Sequence, residues 1–172
     1  KIQIAKATIK CLTAETYMRK IISDNCQCSC GDTKFTVSAP AIARFYCHCT
    51  ICQAFNNAPF SDIVIYRKKD VFLADKSTVE FSTYKAPPAV QRGKCKTCAK
   101  PAIEFFTLWP LPALVFIPAD VIGKNVQMPD PAGHLFYNRR HQDHIDNLPK
   151  HSGYMKSQLS LTQRIFKNIL FI

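Results

Sequence analysis

Cys47-His48-Cys49-Thr50-Ile51-Cys52 places three cysteines within six residues and decides how the rest of the chain is read. Cys28-Ser29-Cys30-Gly31 precedes it and Cys95-Lys96-Thr97-Cys98 follows it. Thiolates two or three residues apart on a tight turn can reach one tetrahedral ion, with each sulfur about 2.3 Å from the metal. An odd cysteine count of nine, C-x-C pairs and no secretory layout at the N-terminus argue for reduced thiols and metal rather than disulfides. Cys11 and Cys26 fall outside the pattern and read as small buried hydrophobes or surface thiols.

The spacing also sorts the ligands. Cys47, Cys49 and Cys52 can cap one face of an ion from a single turn, leaving its fourth position open, as in catalytic zinc sites. Cys28 and Cys30 then join Cys95 and Cys98 in a closed four-cysteine structural site. Pairing Cys28 and Cys30 with the middle turn instead would strand Cys95 and Cys98. Two zinc ions per chain are therefore expected, one structural and one catalytic. His48, between two ligands, is expected to point away from their ion as a polar residue at a turn.

Outward from these turns, short β-prone runs alternate with turn residues: 34–38, 44–47, 62–67, 71–74, 79–84, 90–95, 103–107, 114–117 and 134–138. So many short strands predict a mainly β fold of mostly antiparallel strands, with no βαβ alternation. Pro110, Pro112, Pro118, Pro129 and Pro131 make 108–133 loop-rich, a place for a pocket to form. Residues 1–25 read as an N-terminal extension with loose helical spacing of Ile2, Ala5, Ile9 and Leu12, residues 26–150 as the zinc-binding β domain, and 151–172 as a tail. In the tail, Ser160-Leu161-Thr162-Gln163 fits a capping box, followed by Leu161, Ile165, Phe166, Ile169 and Leu170 at helical spacing. That stripe packs on the domain or, in a sharper reading, on a partner or membrane surface.

The formal net charge is +11. Seven thiolates around two divalent ions bring it to roughly +8. Lys85, Arg92, Lys94, Lys96 and Lys100 bracket the Cys95/Cys98 turn, where a four-thiolate zinc of charge about −2 gives them a local reason. A polyanion-binding face is the lesser reading. The apolar run from Pro110 to Ala119 is too short to span a bilayer, so no transmembrane segment and a cytoplasmic location are expected.

These cysteine turns, together with Ala58-Pro59-Phe60, His134-Leu135-Phe136-Tyr137 and Asp146-Asn147-Leu148-Pro149, resemble the family of glutathione-dependent formaldehyde-activating enzymes, whose domain centromere protein V shares. The resemblance covers about residues 26–150. It implies a β-tent of short antiparallel strands, a structural zinc on Cys28, Cys30, Cys95 and Cys98, and a catalytic zinc on Cys47, Cys49 and Cys52 beside which glutathione binds. The implied activity is that of a carbon–sulfur lyase resembling S-(hydroxymethyl)glutathione synthase, and the implied partners are a glutathione-like thiol and a small aldehyde. Arg139 and Arg140 are candidates for the tripeptide's carboxylates, and Trp109 for a pocket wall. Where the family carries glycine, this chain has Asn57 and Ala99; Asn tolerates a left-handed backbone and Ala less well. Pro118-Ala119-Asp120 replaces a Gly-x-Leu-Asp segment. Two other classes compete with the enzyme: a nucleic-acid-binding module using 85–100, and a scaffold in which both zincs are structural and the C-terminal helix docks a partner. A homo-oligomer is compatible with all three.

Overall fold

The structure, a computed structural model, describes residues 24–86 and 89–170. The expected helical spacing before Asp24, and Cys11 with it, lie outside the described residues. Among the described residues eleven strands form two sheets. β1 (Asp24–Gln27), β2 (Lys34–Val37) and β5 (Val71–Leu73) make the smaller one. The larger runs, in spatial order, β11 (Lys150–His151), β10 (His134–Leu135), β3 (Ala43–Cys47), β4 (Ser61–Arg67), β9 (Leu114–Pro118), β8 (Pro101–Phe106), β7 (Val90–Cys95) and β6 (Val79–Ser82). Pairing is antiparallel except where β10 lies parallel to both β3 and β11. The chain is mainly β, as its short runs predict.

The central strands are covered on both faces, and this creates two cores. Along β4, Val64 and Tyr66 point into one core, and Ile63 and Ile65 into the other. Along β9, Val115 and Ile117 join the first, Leu114 and Phe116 the second. This is the period-two alternation of a strand. The first core contains Phe35 and Val37 of the small sheet and the fully buried Cys26. The second is closed by a C-terminal helix, α2 (Tyr154–Leu170), whose Leu161, Ile165 and Ile169 pack on Ile42, Phe45 and Leu135.

Helix α2 begins earlier than the Ser160 capping box suggests. Gly153 precedes it with φ 80°, and its N–H donates to the Asn138 side chain at 2.7 Å. Ser157 is fully buried in the first turns: its hydroxyl accepts from the Phe136 N–H at 2.8 Å and bonds the Gly153 carbonyl at 2.7 Å. Ser160 lies mid-helix, its hydroxyl 2.9 Å from His151 Nε2. The apparent box was a coincidence of spacing. The helix packs against its own domain, as the first of the two readings expects, while Phe166 remains exposed.

A first short helix, α1 (Thr50–Asn56), is absent from the sequence reading, which took the three-cysteine stretch as a turn. Seven residues hold too little periodicity to announce a helix. Asn57 ends it in the left-handed region (φ 48°, ψ 48°), and its N–H bonds the Gln53 carbonyl. Ala99 also has a positive φ of 56°, its N–H closing the turn onto the Cys95 carbonyl at 2.9 Å. At both positions where the resemblance implies glycine, the chain keeps the left-handed backbone that glycine would take. For alanine this conformation costs about 1–2 kcal/mol, partly offset by the greater unfolded-state entropy of glycine, about 0.4–1 kcal/mol. Ala99→Gly is expected to stabilise the fold by about 0.5–1 kcal/mol in urea denaturation; a loss of stability would mean that the turn is not strained.

Candidate metal centres and cavity

Two cysteine groups form as the spacing sorts them. In each, the sulfurs lie within 4.8 Å of one another: Cys28, Cys30, Cys95 and Cys98 in one, Cys47, Cys49 and Cys52 in the other. A tetrahedral ion with 2.3 Å bonds sets its sulfurs about 3.8 Å apart. The Cys28–Cys30 and Cys30–Cys95 sulfurs stand 3.2 and 3.6 Å apart, a cage that fits zinc with small adjustment.

The four-cysteine group joins the two sheets. Cys28 and Cys30 follow β1, in a turn held by Cys28 N–H to the Thr33 carbonyl (3.0 Å) and by Gly31 with φ 78°. Cys95 ends β7. The Thr78 carbonyl bridges the halves, accepting from Lys96 N–H at 2.9 Å and from the Thr33 hydroxyl at 3.4 Å; the Thr97 hydroxyl adds a 2.6 Å bond to Asp32. The Thr33 N–H points at Cys28 Sγ from 3.3 Å. Against the upward push of burial, the Thr33 hydroxyl and nearby backbone N–H groups bring Cys95 down to about 6. Cys30 is pushed up to about 12, its neighbouring sulfurs outweighing the Asp32 N–H.

The three-cysteine group sits where β3 ends and α1 begins. Cys49 is the N-cap of α1, its sulfur accepting from Cys52 N–H at 3.3 Å. Bonds from Cys47 and Cys52, that N–H and the charge of Arg92 hold Cys49 far below the ordinary thiol range. The same crowding pushes Cys47 up to about 12 and Cys52 well above its usual value. One sulfur takes the negative charge at its neighbours' expense, and a cation among them would relieve all three.

This group opens onto a cavity of about 510 Å³ between the large sheet and α2. Cys47, Cys49 and Cys52 lie in its wall, and the loop residues Leu108, Leu111 and Pro112 close one side, in the proline-rich stretch where a pocket was expected. Arg92 and Glu104 line it as well. They are register partners on β7 and β8, 9% and 1% exposed, and form a direct ion pair. Arg92 Nη2 is 3.8 Å from Cys52 Sγ. Burial pushes Glu104 up to about 7 despite Arg92, and its Oε1 has no hydrogen-bond partner among the described residues. Arg92, read from sequence as compensating the Cys95/Cys98 zinc, serves the other cysteine group. A bulge at Gly93/Lys94 separates it from Cys95 on its own strand.

The other expected site residues divide. Arg139 lines the cavity, with Nη1 3.3 Å from the Thr50 hydroxyl. Arg140 is turned to Asp143 (2.5 Å) and the Tyr137 ring, and is not among the lining residues. Trp109 is 91% exposed and also lies outside the lining.

His48 is no surface turn residue. It is fully buried, stacked on His134 and 2.8 Å from its Nδ1, while His134 Nε2 is 2.8 Å from Asp146 Oδ2. His134, His144 and Asp146 could also hold a metal. Lys150 Nζ already sits 2.8 Å from Asp146 Oδ1, however, and both His134 nitrogens are engaged, so the group reads as a hydrogen-bonded clamp between the 141–149 loop and the β3 end. The sequence signal was a histidine inside an otherwise apolar strand start, His134-Leu135-Phe136.

Burial depresses the pKa of His134 despite Asp146. Between its folded value and the unfolded value of about 6.5 the unfolded chain binds the extra proton, so stability falls as pH drops through that window. Thermal midpoints taken between about pH 7 and pH 5 should decline less steeply in His134→Gln than in the parent; equal slopes would remove His134 from the acid response.

Fold and sites define a class: a small mainly β protein carrying two groups of cysteines able to hold a metal, one of them beside a cavity. The family model described as glutathione-dependent formaldehyde-activating enzyme matches residues 23–139, and the chain belongs to that family. No curated protein matches. Among solved structures, a Rhodobacter sphaeroides protein shares 13% identity at TM-score 0.48, over 60% of this chain and 91% of its own. Such a likeness is too distant to argue from.

Proposed function

We propose that this chain is a zinc-dependent carbon–sulfur lyase resembling S-(hydroxymethyl)glutathione synthase, joining a glutathione-type thiol to a small aldehyde at the Cys47/Cys49/Cys52 centre. The observation that carries the reading is the opening of a three-sulfur group onto a cavity, beside a four-sulfur group that is complete within itself. A zinc ion held by the three sulfurs would supply a Lewis acid and ionise a thiol near neutral pH. The chain's own residues do the rest. Cys49, at the N-terminus of α1, carries the anionic end of the ligand set, and Arg92 sets a positive charge against Cys52. The clamp from Asp146 through His134 to His48 holds the β3 end in place. Arg139 and Lys85, both lining the cavity, are suited to the two carboxylates of the tripeptide, Lys85 replacing Arg140 of the sequence expectation. Thiol and aldehyde held side by side gain chiefly from positioning, because a metal-held thiolate is a weaker nucleophile than a free one.

The nucleic-acid reading loses support at its own residues. Arg92 is buried in an ion pair, and Lys94 lies over the ring of Phe55.

Two measurements test the proposal. Elemental analysis should find two zinc ions per parent chain and one in Cys49→Ser, with the four-cysteine ion retained; two ions in the variant would refute the assignment. In glutathione-dependent formaldehyde consumption, Arg139→Ala should raise KM for the thiol about tenfold with little change in kcat. A change in kcat alone would move Arg139 out of thiol binding.

A further inference from the structure

The walls of the cavity do not match the smallest aldehyde. A water takes about 30 Å³ of liquid volume, and formaldehyde has just one heavy atom more, whereas the cavity holds about 510 Å³. Its body is apolar: Ile63, Leu114 and Phe116 rise from the sheet, and Leu161, Ile165 and Phe166 descend from α2. The two cations suited to the tripeptide, Lys85 and Arg139, are exposed residues, so its charged ends would stay near solvent and need none of these apolar side chains. Glu104 also lines the cavity, 1% exposed, and its Oε1 has no donor among the described residues. A buried carboxylate oxygen left unpaired is costly, so a donor arriving with the ligand would be strongly selected.

We propose that the cavity takes an aldehyde with an apolar body, aliphatic or aromatic, and that Glu104 Oε1 accepts the hydrogen bond of the hydroxyl created when the thiol adds. This deepens the functional reading above and rests on it. In the addition the sulfur lone pair forms the S–C bond and the π pair of the carbonyl moves onto oxygen. That oxygen takes up one proton, matching the one the thiol lost on ionising, and nothing is oxidised or reduced. The hydroxyl so formed lies between an apolar tail and the free carboxylate oxygen. Neither Arg92, whose guanidinium is a donor, nor the apolar walls can accept its proton.

Straight-chain alcohols mimic tail and hydroxyl without needing thiol or turnover. In calorimetric titrations of the zinc-loaded protein at about pH 8.5, where Glu104 is ionised, affinity should rise about fourfold per methylene from butanol through hexanol to octanol. Octanol should bind more tightly than octanone, which has no proton to donate. In Glu104→Gln the amide oxygen must face Arg92, which turns the amide N–H toward the cavity and makes octanone the preferred ligand. Leu161→Trp, which fills the cavity and leaves the ion pair intact, should abolish the gain with chain length. An affinity flat across the series, or unmoved by Leu161→Trp, overturns the apolar assignment. An alcohol preference unchanged in Glu104→Gln overturns the role of Glu104. Because no reaction is involved, a protein that binds octanol yet consumes no aldehyde contradicts only the enzymatic reading. One that turns over formaldehyde faster than octanal and shows no chain-length gain contradicts only this inference.

Discussion

Sulfur crowding is the constraint on which the structure depends. Three thiols with their sulfurs within 4.8 Å cannot all ionise without a cation among them, and their opposed displacements, Cys49 down and Cys47 and Cys52 up, express that conflict. The same holds for the four sulfurs that tie β1 to β7. There the sulfurs come from different sheets, so a metal held among them would couple its binding free energy to sheet docking. In the three-sulfur group all ligands come from one strand end and one helix start. The local chain forms that group with or without a distant partner, which is what a centre needs if its metal can bind and exchange contacts without unfolding the domain.

The double-sided burial of β4 and β9 gives the cavity its place. One face packs on the small sheet and needs no opening. Among the described residues the other is covered by α2, and one helix across a broad sheet leaves space at its side. Phe136, at the cavity, holds a positive φ of 55°, unusual for a bulky residue, and its N–H is tied to Ser157 of α2. Such strain, of order 1–3 kcal/mol, persists where surrounding contacts fix it and is common around ligand sites. The helix that closes the second core is therefore also the element that shapes the cavity wall.

Much of this was legible in the chain. C-x-C, C-x-C-x-x-C and C-x-x-C report local turns, so the cysteine groups could be sorted from spacing, and β-branched runs marked most strands within a residue or two. What was not legible is what depends on pairing across the sheet. Arg92 and Glu104 are twelve residues apart and face each other through strand register alone. In sequence, Arg92 is one cation among several, next to the wrong cysteines. His48 and His134 are joined by the parallel pairing of β3 and β10, which no local pattern announces. The start of α2 was missed because its N-terminal bonds come from Asn138 and through Ser157 from Phe136, both far back in the chain, while Ser160 offered a plausible local cap.

The buried ion pair is the least economical feature of the fold, and its cost is informative. Taking Arg92 and Glu104 out of water costs several kcal/mol per ion, and well-packed apolar residues at such sites are often as stable or more so. Stability therefore does not explain the pair. Nor does support of the cysteine group, which Arg92 could give alone: a lone guanidinium beside three thiols is already charge-matched. What the lone cation would lack is an acceptor facing the cavity. Glu104 adds an acceptor to the cavity wall, its Oε1 unpaired among the described residues and its other oxygen taken by Arg92. A carboxylate with a single vacant oxygen, fixed in an apolar wall, has the design of a group that recognises one donor on a ligand that is otherwise hydrophobic.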